Sequence, residues 1–277
     1  MMNLIAGIGK YLKNKETLLV NINSKHIIRT LILIARPAAG KSEIIHSLTQ
    51  IDLEERREKF HVGELKIIDD FPFLWRWFEE DEILKKMGKP RIYTDQEGYF
   101  KFEYFWDLLI QMINLEYTKQ MREIAIENEY TFLIEFSRGK QHGGYRHALP
   151  ILSDEILKNA AILYVDVPWE ESLRKNRDRF NPEKPDSILE HSLPDEKLKR
   201  MYYECDFKEL VNNTHGFLDI NNIAVPYAIF NNQNDLTTNP GQEFVNELSK
   251  CLDRLWELEN HSRVDRFPHF NSITALR

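Results

Sequence analysis

Five short segments of the chain are apolar with little interruption: Thr30–Ala35, Leu65–Asp69, Thr131–Phe136, Ala161–Val167 and Pro226–Asn231. Runs of that length and continuity predict strands buried on both faces, as in a parallel sheet. Between them, apolar residues recur every three or four positions, which predicts helices over Lys41–Gln50, Trp75–Met87, Tyr104–Asn128, Trp169–Arg177, Glu196–Asn212 and Gly241–Leu258. The last is the clearest, with Phe244, Leu248, Cys251, Leu252, Leu255 and Trp256 on one face. Strands alternating with helices predict an α/β fold of βα units. Neither a repeat nor a Pro/Gly/Ser-rich linker divides residues 1–277, so a single domain is predicted, with its core over about 30–258. The aromatic-rich span that begins at Phe71 predicts a helical insertion (about 71–128) over one side of the sheet, most of its rings being packing. Residues 260–277 show no period and are expected to be a loosely attached tail.

Composition narrows the classes. With 42% hydrophobic and 12% aromatic residues, the chain is not of the disordered type. No apolar run approaches the roughly 20 residues of a membrane helix, and Met1–Lys13 carries no cleavage-site pattern, so neither membrane span nor signal peptide is expected. Two cysteines suit a reducing, cytoplasmic setting. With 37 basic against 44 acidic side chains, the net charge of −7 gives no general pull towards nucleic acid or anionic membrane. Glycine is scarce, 11 in 277 residues, which makes its clusters informative.

The first informative position is Ala35-Arg36-Pro37-Ala38-Ala39-Gly40-Lys41-Ser42, which closes one predicted strand and opens a predicted helix. A strand-loop-helix of this kind surrounds a phosphate chain with backbone N–H groups and a helix N-terminus. In that pattern Arg36 to Ser42 would hold the phosphates, Lys41 would neutralise their charge, and the Ser42 hydroxyl would ligate Mg²⁺. Ala35 stands where the pattern has its first glycine.

The order of these elements and motifs over about Thr30 to Asn234 resembles the P-loop kinases of the nucleoside and nucleotide kinase group. The resemblance implies a three-layer P-loop NTPase fold with a five-stranded parallel sheet in the order 2-3-1-4-5. It also implies transfer of the ATP γ-phosphoryl to a small acceptor such as a nucleoside or nucleotide, with Mg²⁺. The expected partners are therefore ATP and a small-molecule acceptor, with room left for a homodimer.

Further chemistry sits at the predicted strand ends, where ligands of open α/β sheets bind. Asp69 is the favoured base for an acceptor hydroxyl and Asp70 the next choice, while either could instead cap the helix that Phe71-Pro72 opens. If the acceptor is itself a phosphate, no base is needed and Asp69 binds metal or substrate. Glu135 lies in an apolar run, where a carboxylate needs a partner or a metal, and is expected to orient Mg²⁺ with Ser42. With Arg138 it resembles the Glu-Arg-Ser element of nucleoside kinases, although two residues separate the pair. The loop Arg138–His147 holds three glycines; Asp70, Arg138 and Arg146 are expected to bind the acceptor. His142 and His147 lack a third metal ligand. Arg174, Arg177 and Arg179 resemble the lid arginines of P-loop kinases, and residues about 174–200, including Phe180–Asp186, the lid itself. By the same resemblance, the loop after the fifth strand would lie against adenine. Two rivals remain: a nucleotide-binding regulatory or interaction protein without efficient turnover, and a polynucleotide end kinase.

Overall fold

A computed structural model describes residues 27–123, 130–179, 183 and 192–266, with the backbone alone over 261–266. The segment examined for a signal peptide, most of the expected lid stretch at 180–186, and residues 267–277 lie outside the described residues.

The chain begins with β1 (Thr30–Ile34), α1 (Lys41–Gln50), α2 (Leu53–Phe60) and β2 (Glu64–Asp69). It continues through α3 (Phe71–Lys86), α4 (Tyr104–Glu123), β3 (Tyr130–Phe136), α5 (Gly144–Ala148), α6 (Asp154–Leu157) and β4 (Ala160–Asp166). The remainder is α7 (Trp169–Asp178), α8 (Asp195–Tyr202), α9 (Phe207–Leu210), β5 (His215–Ile220), β6 (Ile223–Asn231) and α10 (Gln242–Arg266).

The sheet has six strands in the order β2-β3-β1-β4-β6-β5. The expectation of a five-stranded, wholly parallel sheet is thus corrected in count and order: β5 adds an antiparallel edge by pairing with β6. The other adjacent pairs are parallel. β5 is half exposed and lacks the continuous apolar run that marked the other strands. Its signal is the Asn221-Asn222 turn, where both residues take positive φ (54° and 63°), the geometry of a tight hairpin.

Side chains alternate across the sheet, and this builds two cores. Ile32 and Ile34 of β1 face Ile110, Ile113 and Tyr117 of α4, with Tyr145 and Phe207. Leu31 and Leu33 face Ile44 and Leu48 of α1, Phe60 of α2, and Phe244, Leu248 and Leu252 of α10. Helices therefore cover both sides of a mixed sheet. Among the described residues, no helix is long and apolar enough to cross a membrane.

Several helices depart from the sequence reading. The predicted helix Glu196–Asn212 is two helices, α8 and α9, separated by residues 203–206. α3 begins four residues early, at Phe71, because Pro72 at its first turn fixes a helical φ and lacks only an N–H that would have no partner there. α2 has no apolar period to predict it, since Leu53 and Phe60 are its only apolar residues; its local signal is the N-cap Asp52, whose side chain accepts from Glu54 N. The insertion carries α3 and α4, joined by a segment whose anchor is Asp81. That fully buried carboxylate accepts the backbone N–H groups of Ile92, Tyr93 and Thr94 and the Thr94 hydroxyl. A third cluster, of Trp77, Phe105, Trp106, Leu198, Met201 and Tyr202, packs α3, α4 and α8 together.

Candidate active site

A cleft of about 1170 Å³ opens at the C-terminal edge of the sheet, between the loop after β1 and the insertion. Its floor is that loop, residues 35–40. Five of its six carbonyls accept hydrogen bonds from the protein. Ala35 O takes the Tyr145 hydroxyl (2.8 Å), Arg36 O takes Lys41 Nζ (3.3 Å), Pro37 O takes Ser172 Oγ (2.8 Å) and Ala39 O takes Asn232 Nδ2 (3.0 Å). Gly40 O accepts Ile44 N within α1, whose N-terminus has no side-chain cap. Among the described residues no hydrogen bond engages the N–H groups of Ala38, Gly40, Lys41 and Ser42, while the turn over residues 37–38 draws the Ala39 N–H towards Arg36 O. The loop thus binds the protein through its oxygens and leaves a row of donors, joined to a positive helix end, free for an anion.

Alanine in place of the first glycine costs little, because positive φ falls elsewhere in the loop, at Ala38 (56°) and Gly40 (102°). A Cβ on Gly40 would stand 2.3 Å from Thr237 Oγ1. Gly40→Ala is expected to destabilise the fold by roughly 3 kcal/mol, read as a lowered melting temperature.

Lys41, 6% exposed, lies 3.6 Å from Glu135 Oε1 and donates to Ser137 Oγ at 2.8 Å. Glu135 therefore has the cationic partner that its apolar strand required. Register sets Glu135 beside Asp69 on the neighbouring strand. Asp69 Oδ1 accepts Phe71 N at 2.9 Å, so this residue supplies a side-chain cap to the start of α3 and still faces the cleft. Burial, and then the charges of Glu135 and Asp70, raise the Asp69 pKa to about 7. Burial also raises the proton affinity of Glu135 against the pull of Lys41, and that of Asp70 against Arg138.

Asp70 is engaged within the protein. Its Oδ2 lies 2.6 Å from Arg138 Nη1, and both side chains are almost wholly buried. Arg138 also donates to the carbonyls of Ser137 and Trp106 and lies over the Trp106 ring. Both residues line the cleft, as expected of acceptor-binding groups, yet three of the five N–H donors of Arg138 are spent on Asp70, Ser137 and Trp106, and its Nε has no partner among the described residues. Breaking such a buried pair by Arg138→Met should cost about 3–5 kcal/mol, whereas Asp70→Asn with Arg138→Met should cost less than the two single changes summed. Denaturant unfolding of the three variants checks this.

Other expected residues are not brought together. Arg146 is exposed and outside the cleft, its helix held by Asp206, which accepts the N–H groups of Tyr145 and Arg146. Arg174 turns to Glu171, Asp178 and Asp235, and Arg177 to Asp195, so neither lines the cleft. Arg179 does line it. Arg36 contributes its backbone to the loop, but its guanidinium donates to the carbonyls of Val167, Tyr202 and Tyr203 and so ties α8 to the loop. His142 and His147 pair separately, with Glu103 and Asp107. Among the described residues, no three or more His, Cys, Asp or Glu side chains gather as a metal-binding group.

Four contributors have no mark in the sequence reading. Ser137 receives Lys41, Tyr145 buttresses the loop from beneath, and Thr237 and Asn232 hold it from the side. All are contacts across large sequence distances, for which a single sequence carries no signal.

The chain matches no known family model and no curated protein. Among solved structures it is similar to an unliganded sugar kinase from Janibacter sp. HTCC2649, with a TM-score of 0.38 and 12% identity over 83% of this chain and 97% of that one.

Proposed function

We propose that the chain is a phosphotransferase of P-loop kinase type, which moves the γ-phosphoryl of ATP to a small acceptor in the cleft with Mg²⁺. The observation that carries this reading is the loop itself, with five of its carbonyls held by the protein, the N–H groups of Ala38, Gly40, Lys41 and Ser42 left without a partner among the described residues, and the Lys41 side chain set between it and Glu135. In this reading those N–H groups and the Lys41 side chain hold the phosphates, and Arg179 offsets the charge at the transferring group.

The residues present fit Mg²⁺ in the manner usual for that ion, with few protein ligands and the remainder from phosphate and water. Ser42 lines the cleft beside the loop, and Glu135 lines it too, a carboxylate whose proton affinity burial raises against the pull of Lys41. When bound, the ion would draw off charge from the phosphates. Asp69 then accepts the proton of the attacking hydroxyl at its carboxylate, and a pKa near 7 is matched to that task. Trp106 and neighbouring rings exclude water from the acceptor side of the cleft. A polynucleotide acceptor is disfavoured by the lining, which has eight carboxylates against six lysines and arginines.

The test is a panel of metabolites bearing hydroxyl or phosphate groups, nucleosides and their monophosphates included, with ADP formation as readout. One acceptor should raise ADP release well above the rate in water, and MgATP binding without any acceptor-dependent release would favour the regulatory rival.

A further inference from the structure

α7 turns one face to the loop. Ser172, Lys175, Asn176 and Arg179 follow one another at spacings of three, one and three residues, the stripe a helix presents to a single neighbour. Ser172 Oγ donates to Pro37 O at 2.8 Å. Lys175, only 8% exposed, forms an ion pair with Asp235 and donates to Thr237 Oγ1 at 2.8 Å. Thr237, itself fully buried, also accepts Asn232 Nδ2 at 2.9 Å, and the same amide nitrogen donates to Ala39 O. The Thr237 side chain abuts Gly40, so closely that no Cβ fits between them. One turn beyond Lys175, Arg179 reaches the cleft, where its charge acts on Glu135. A buried lysine is costly unless its donors are used, and here they join α7 to the segment after β6 and, through it, to the loop.

We propose that Thr237 and Lys175 are positioning residues: they set Arg179 against the γ-phosphate of a nucleotide held by the loop, and so give the site its preference for triphosphate over diphosphate. The proposal rests on the nucleotide-binding reading above. It separates Arg179 from Arg177, which pairs with Asp195, and from Arg174, whose guanidinium is taken up by Glu171, Asp178 and Asp235; neither of these lines the cleft. An arginine contact to a terminal phosphate gains most when the side chain is held in place beforehand, since little freedom is then lost on binding.

The test is calorimetric titration with MgATP and with MgADP. Wild type should bind MgATP more tightly. Thr237→Val, which keeps the shape and removes the hydroxyl, should cut that ATP-over-ADP preference about tenfold with MgADP affinity little changed. Thr237→Ser, which restores the hydroxyl, should recover it. Arg179→Met should lose the same preference, and adding Thr237→Val to it should lower the preference no further, because both changes remove one contact. Ser172→Ala, which cuts the other tie from α7 to the loop, should act in the same direction and serves should Thr237→Val fold poorly. Equal weakening of both nucleotides by Thr237→Val, additive effects in the double variant, or equal binding of ATP and ADP by wild type would overturn the proposal. Binding of neither nucleotide by wild type would instead overturn the nucleotide-binding reading beneath it.

Discussion

Lys41→Met is expected to weaken MgATP binding at least about a hundredfold, because it removes the ammonium that lies against both the loop and Glu135. The variant should still fold. Without Lys41, burial raises Glu135 further, and a protonated glutamic acid can remain where a carboxylate could not. Methionine keeps most of the buried stem, so a fall of a few degrees in melting temperature is expected rather than loss of the fold. Calorimetry and thermal unfolding on the same preparation separate the two effects. Binding within about threefold of wild type would remove Lys41 from the phosphate site.

Asp69→Asn should act on the chemical step instead. Loss of a general base costs about 10²–10⁴ in turnover, whereas the nucleotide contacts proposed above lie on the loop, so MgATP affinity should stay within about threefold. In wild type, the acid limb of the rate profile should fall near pH 7, where the Asp69 carboxyl takes up its proton. Stability carries the same signature with a definite sign. The folded chain holds a proton on Asp69 up to about pH 7, while the unfolded chain releases it near the ordinary aspartate value of 3.8. The folded state therefore binds more protons in that window, and its stability falls as pH rises through it. Asparagine can still accept from Phe71 N and carries no charge, so Asp69→Asn should raise the melting temperature at pH 8 and change it little at pH 4. Equal losses in turnover and in ATP affinity would assign Asp69 to the nucleotide or its metal.

What could be read beforehand was what neighbouring residues encode together. Arg36 to Ser42 lies between an apolar strand and an amphipathic helix, and those local patterns place it at a sheet edge without any knowledge of partners. Glu135 was legible for a related reason: a carboxylate inside TFLIEF needs a compensating charge, and Lys41 provides it. The arginines of α7 show where such reasoning stops. Their number was plain, but their direction depends on which face meets the loop, and that is set by Ser172 and Lys175 reaching Pro37 and Thr237. The glycines of the 138–147 loop stand out in the sequence as part of an expected acceptor-binding loop, whereas in the fold Gly139 and Gly144 serve packing. A Cβ at these two positions would strike Met201 and Asp206. β5 escaped because a half-exposed edge strand lacks the apolar run of a buried one.

The most direct measurement is titration of the wild-type protein with ATP, with and without Mg²⁺. Saturable binding of one nucleotide per chain, strengthened by Mg²⁺ and displaced by ADP, is the expected result. No saturable heat with ATP under either condition would contradict the assignment of residues 35–42 as a phosphate-binding loop.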